Sequence, residues 1–153
     1  MERLVIQSDI NNIIDVERFI ALVCDRWNIN NYSATISMSL LQAVENAIVH
    51  GNNSDTSKQV VITAEQGRGG VSFVVSDEGP GFDYSSYNSS MPPEGDKGMG
   101  IYVMRSLSDK MSFSNGGKTV RLDYFVSGIE ATYALERIMR LKKYYAPKAV
   151  VQV

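Results

Sequence analysis

VSFVVSDEGPGF, residues 71–82, is the stretch from which the rest of the chain can be read. Val71 to Ser76 is nearly all β-branched or aromatic, which is the composition of a buried strand. Asp77-Glu78-Gly79-Pro80-Gly81-Phe82 then interrupts it. Taken alone, that run is a tight turn. It also suits the floor of a pocket. Asp77 stands at the carboxyl end of the strand, and the glycines let backbone approach a flat ligand closely. A buried carboxylate is costly unless something donates hydrogen bonds to it. An adenine amino group is such a donor.

Working outward, Gln59 to Glu65 alternates and faces the 71–76 strand across Gly67, Gly69 and Gly70, the composition of a hairpin. A second hairpin joins 111–114 to 118–125 across Asn115-Gly116-Gly117, and Arg3 to Gln7 reads as an edge strand. Apolar residues from Ile13 to Trp27 recur at helical spacing. A second helix starts near Ser33, whose side chain can cap it, and ends at the breaker cluster from Gly51. Met99 to Lys110 and about 129–145 supply two more helices, the last with Leu135, Ile138 and Tyr145 on one side. Residues 83–97 have no period, which marks a lid or a disordered segment. The order β-α-α-β-β-α-β-β-α predicts a two-layer α/β sandwich. Its sheet is a mainly antiparallel mixed one with helices on one face. The division expected is one α/β domain over 1–126 and a helical extension over 127–153.

With 153 residues the chain is one domain, and 15 basic against 17 acidic side chains give no support for coating nucleic acid. No apolar run approaches the ~20 residues of a membrane span, and the N-terminus lacks a secretory pattern. Cys24 is the only cysteine, so no intrachain disulfide forms. A cytoplasmic location is expected.

Two further stretches carry chemistry. In and just after QAVENAIVHG, residues 42–51, Gln42, Asn46, His50 and Asn53 share one face if the helix runs on. Such a polar stripe is ordinarily a solvated surface, but an Asn46 amide oxygen there can also ligate Mg²⁺. Lys97-Gly98-Met99-Gly100-Ile101 opens a helix, where free N–H groups and the helix dipole suit phosphate and Lys97 adds a full charge.

In this order and spacing, the three stretches resemble the Bergerat ATP-binding fold of the gyrase, histidine-kinase and MutL superfamily. His50-Gly51-Asn52, the compact loop and Gly-x-Gly-Ile-x-x-Met-Arg at 98–105 are similar to the bacterial anti-sigma factor serine-protein kinases. The resemblance covers roughly residues 1–126. It implies ATP and Mg²⁺ as cofactors, with Asn46 on the metal. It implies that Asp77 accepts from the adenine amino group, with Thr119 supporting it through water. It further implies that Gly79 and Gly81 shape the adenine pocket and that Lys97, Gly98, Met99 and Gly100 hold phosphate. His50 would stand near the nucleotide.

Two departures accompany the likeness. Kinase members commonly carry a glutamate four residues before the metal-binding asparagine, as general base. Here that position is Gln42, which cannot accept a proton at neutral pH. Second, residues 129–153 carry five basic and two acidic side chains, against 10 and 15 elsewhere. A basic helix of that kind binds an acidic partner or a membrane surface, or packs its apolar side on its own domain or a dimer mate. The function implied is an anti-sigma regulator that sequesters a sigma factor and phosphorylates a STAS-type anti-anti-sigma protein on serine or threonine. The alternative is an ATP-dependent binding switch without transfer. A homodimer is expected, and direct nucleic-acid contact is not.

Overall fold

The computed structural model describes residues 1–87, 95–126 and 137–143. Strand β1 (Glu2–Gln7) leads through a 3₁₀ turn capped by the Asp9 carboxylate into helix α1 (Ile13–Arg26). Helix α2 (Ser33–Asn46) follows, continued by a π turn over Ala47–Gly51. Strands β2 (Gln59–Gly67) and β3 (Gly70–Ser76) form the first hairpin. Helix α3 (Asp96–Leu107) precedes the second hairpin, β4 (Lys110–Ser114) and β5 (Thr119–Phe125).

The sheet order is β1-β2-β3-β5-β4, and every neighbouring pair is antiparallel. This sharpens the mainly antiparallel, mixed sheet expected from the sequence. The reason lies in the connections. With two helices between them, the chain reverses three times from β1 to β2, so β2 returns antiparallel to β1. One helix between β3 and β4 leaves those two strands pointing the same way, but β5 inserts between them and pairs antiparallel with both.

Strand alternation puts Val71, Phe73 and Val75 of β3 and Val120, Leu122 and Tyr124 of β5 on the helix-covered face. There they join Val16 and Ile20 of α1 and Ile36, Leu40 and Val44 of α2 in one buried cluster. Cys24 lies in the same cluster, and burial raises its thiol to a pKa of about 11, so it is an inert core residue. Tyr124 packs edge-on to Phe73, and its hydroxyl lies 2.5 Å from Ser39 Oγ. Replacing Tyr124 by Phe keeps the packing and removes this buried hydrogen bond. The expected cost is ~0.5–1.5 kcal/mol, read as a lower denaturant midpoint with an unchanged slope.

Three local readings change. Ser33 does not cap α2 with its side chain; Tyr32 holds the cap position. A 3₁₀ turn over Asn30–Tyr32 already satisfies the Ser33 N–H through the Asn30 carbonyl. Helix α3 begins three residues earlier than expected and ends at Leu107. Its end is set by Ser108, whose hydroxyl donates to the Met104 carbonyl, and by Asp109, whose N–H donates to Asp123 and begins strand pairing. The end of α2 is a π turn rather than regular helix. It is closed by the Asn52 N–H donating to Ala47 across five residues.

Residues 88–94 of the 83–97 segment lie outside the described residues, as do 127–136 and 144–153 of the C-terminal extension, with Leu135 and Tyr145 among them. The described part of that extension, 137–143, is helical. Ile138 and Leu141 pack on Val103 and Leu107 of α3, and Arg137 pairs with Asp109. Its apolar side therefore meets its own domain, while Arg140, Lys142 and Lys143 are exposed. No described helix is long and apolar enough to cross a membrane.

Candidate nucleotide-binding site

A cleft opens where the end of α2, the exit of β3 and the start of α3 meet above β4 and β5. Asn46 and His50 line it from the α2 side, Asp77 and Phe82 from the β3 exit, Lys97 from α3 and Lys118 from β5's approach. Three stretches far apart in sequence thus deliver a carboxylate, an amide and an ammonium group to one concavity.

Asp77 reaches the cleft because strand alternation continues one residue past Ser76, onto the side of Val75. Its N–H donates to the Lys118 carbonyl at 2.9 Å, and its Oδ1 accepts from the Gly79 N–H at 2.8 Å. Burial raises its pKa above the ordinary 3.8, and the Gly79 hydrogen bond with the charges of Lys118, Lys97 and Lys58 opposes that rise. Gly79 must be glycine for steric reasons. A Cβ there would overlap the Gly51 carbonyl oxygen, and one on Gly51 would overlap the Asp77 carboxylate. The turn after β3 and the end of α2 therefore touch backbone to backbone beneath Asp77.

The raised pKa fixes a sign. A donor such as an amino group favours the ionised carboxylate, so protonating Asp77 opposes its binding. Nucleotide affinity is expected to fall as pH drops through a window above 3.8. The Asp77→Asn protein should lack that component. Dissociation constants for both proteins across pH test this, since phosphate titration is common to the two profiles. Without ligand the sign reverses: the folded state binds this proton more tightly than the unfolded chain. Ionising Asp77 is accordingly unfavourable to folding at any pH above its folded pKa.

Lys97 lies with its Nζ 3.6 Å from the centre of the Phe82 ring, a cation–π contact, and burial lowers its pKa while Asp77 opposes this. Phe82 is in turn held edge-on by Phe113 at 5.3 Å and by Tyr87 at 5.9 Å. Lys97 stands in the first turn of α3, where backbone N–H groups lack partners within the helix.

The other candidates take distinct places. Gly81 lines the cleft, whereas Gly79 lies beneath Asp77. Gly98, Met99 and Gly100 belong to the first half of α3. Gln42 is not among the cleft-lining side chains. A Cβ on Gly100 would lie 3.1 Å from both the Gln42 Oε1 and the Asn46 Oδ1, so these amides lie side by side against α3. Thr119 also lies outside the lining, because Lys118 and Val120 on either side of it point there. Its hydroxyl is 3.0 Å from Ser76 Oγ. The sequence reading missed Lys118, Phe113 and the buried Asn52 as site-forming residues. For Lys118 the available signal was the two-residue strand period.

Among the described residues no group of three or more His, Cys, Asp or Glu side chains could hold a metal ion. That is compatible with Mg²⁺, which keeps several waters and takes one or two protein oxygens alongside substrate phosphates. Asn46 lines the cleft, and its side-chain amide carries an oxygen of the kind such an ion takes.

Residues 6–124, most of the chain, match the histidine kinase-like ATPase domain, and the chain belongs to that family. The fold and the cleft agree with it: this is a domain of the ATP-binding class. No curated protein matches the chain.

Proposed function

We propose that this protein is an ATP-binding anti-sigma regulator resembling the serine-protein kinases. In this reading it holds a sigma factor and phosphorylates a STAS-type antagonist on serine or threonine, releasing that antagonist. The observation that carries the nucleotide part is the convergence of Asp77, Asn46 and Lys97 on one cleft. Asp77 would accept from the adenine amino group, Asn46 would ligate Mg²⁺, and Lys97 with the first turn of α3 would face phosphate. Phosphoryl transfer depends chiefly on positioning and charge neutralisation, which such groups supply. The partners and a homodimeric state rest on the resemblance of the sequence motifs.

A second reading is favoured by one residue. Gln42 occupies the general-base position with a neutral amide, and it lies against Gly100 beside Asn46. On that reading ATP switches partner affinity without transfer. Incubation with labelled ATP, Mg²⁺ and a cognate antagonist separates the two. Label on the antagonist supports the kinase. ATP-dependent partner binding without label supports the switch, and binding of neither nucleotide nor partner defeats both.

A further inference from the structure

Asn52 is 0% exposed and makes three side-chain hydrogen bonds. Its Nδ2 donates to Ser8 Oγ at 2.7 Å and to the Gln59 carbonyl at 2.9 Å. Its Oδ1 accepts from the Glu78 N–H at 2.7 Å. One side chain thus ties the residue after β1, the first residue of β2 and the loop after β3. Its own N–H closes the π turn that carries His50 and Gly51. Glu78 adds a second strap, because its carboxylate accepts from the Gln59 N–H at 2.6 Å.

We infer that Asn52 is a positioning residue for the base-binding end of the cleft, acting through Asp77. The Glu78 N–H belongs to the peptide plane that joins Asp77 to Glu78. Holding it fixes the direction in which Asp77 leaves β3. Meanwhile Gly51, the residue immediately before Asn52, lies so close to the Asp77 carboxylate that a Cβ on it would collide. Asn52 therefore sets the position of the carboxylate from both sides, through the loop that carries it and through the backbone it rests on. The side chain does not line the cleft and touches no ligand position. Releasing it lets the turn move without removing any group that would meet phosphate.

This inference rests on the reading that adenine donates to Asp77, and it makes a claim about discrimination that a purely structural role does not. ITP keeps the phosphates and ribose but carries a carbonyl where adenine has its amino group. In the wild-type protein ATP should bind more tightly than ITP. In Asn52→Ala the ATP affinity should fall about tenfold, the scale of one mispositioned hydrogen bond. The ITP affinity, measured on the same folded protein, should stay nearly constant, so the preference collapses. Glu78→Ala removes the exposed strap only and should narrow the preference in the same direction, by about threefold. Calorimetric titration of each full chain with both nucleotides, with circular dichroism as a check on folding, gives the result. If Asn52→Ala does not fold, Glu78→Ala decides. A wild-type ATP-to-ITP ratio kept in the folded variants overturns the positioning role alone. Equal wild-type affinity for ATP and ITP overturns the adenine reading itself, and this inference with it.

Discussion

Gln42→Glu is expected to raise phosphotransfer to a cognate antagonist serine by about 10²–10⁴-fold, the range that a positioned general base contributes. The two side chains are nearly equal in size, so the contact with Gly100 should survive. The change is chemical, since a carboxylate can take the hydroxyl proton and an amide cannot. Asn46 lies beside Gln42, so the new charge stands near the residue proposed to hold Mg²⁺, and a metal bound there should offset its repulsion of phosphate. Glu45 does not substitute for it, because it is exposed and about 100° around the helix from Asn46. Single-turnover transfer, with nucleotide affinity measured alongside, tests the point. A glutamate variant that binds ATP and antagonist yet transfers no faster would show that the base is not what limits the protein. The binding-switch reading would then lead.

Asp77→Asn should weaken ATP or ADP binding in the presence of Mg²⁺ by about 5- to 150-fold, from ~1–3 kcal/mol of unpaired polar group. The substitution is clean because an asparagine Oδ1 can still accept from the Gly79 N–H, leaving the turn intact. What changes is the second oxygen, which becomes a donor facing a donor. Folding should not suffer, since the carboxylate whose ionised form burial disfavours is gone. Thermal stability equal to or above wild type, together with weaker binding, is therefore the expected pair of results. Equal nucleotide affinity in both proteins by calorimetry would remove Asp77 from the pocket.

Much of this protein is legible from its sequence because the signals are local. Glycine-rich turns between β-branched runs mark both hairpins, since a hairpin's turn chemistry lies in a few consecutive residues. The 3.6-residue spacing of Val16, Ile20 and Val23, and of Ile36, Leu40 and Val44, marks the faces that α1 and α2 bury. The order of three short motifs was enough to bring Asn46, Asp77 and Lys97 under suspicion together, because each is tied to a strand end or helix start that the sequence reveals.

Only the tertiary structure decided the rest, and in each case the deciding partner is remote along the chain. Helix α3 ends at Leu107 because Asp109 pairs with Asp123, an event no helix propensity encodes. Insertion of β5 between β3 and β4 makes the sheet wholly antiparallel, and strand order is not written in strand patterns. Thr119 turns toward Ser76, and Lys118 toward the cleft, because pairing register fixes which face each residue meets. Asn52 reads as one polar residue in a breaker cluster. Its partners Ser8, Gln59 and Glu78 come from three segments, and burial together is what turns an ordinary loop asparagine into the tie beneath Asp77.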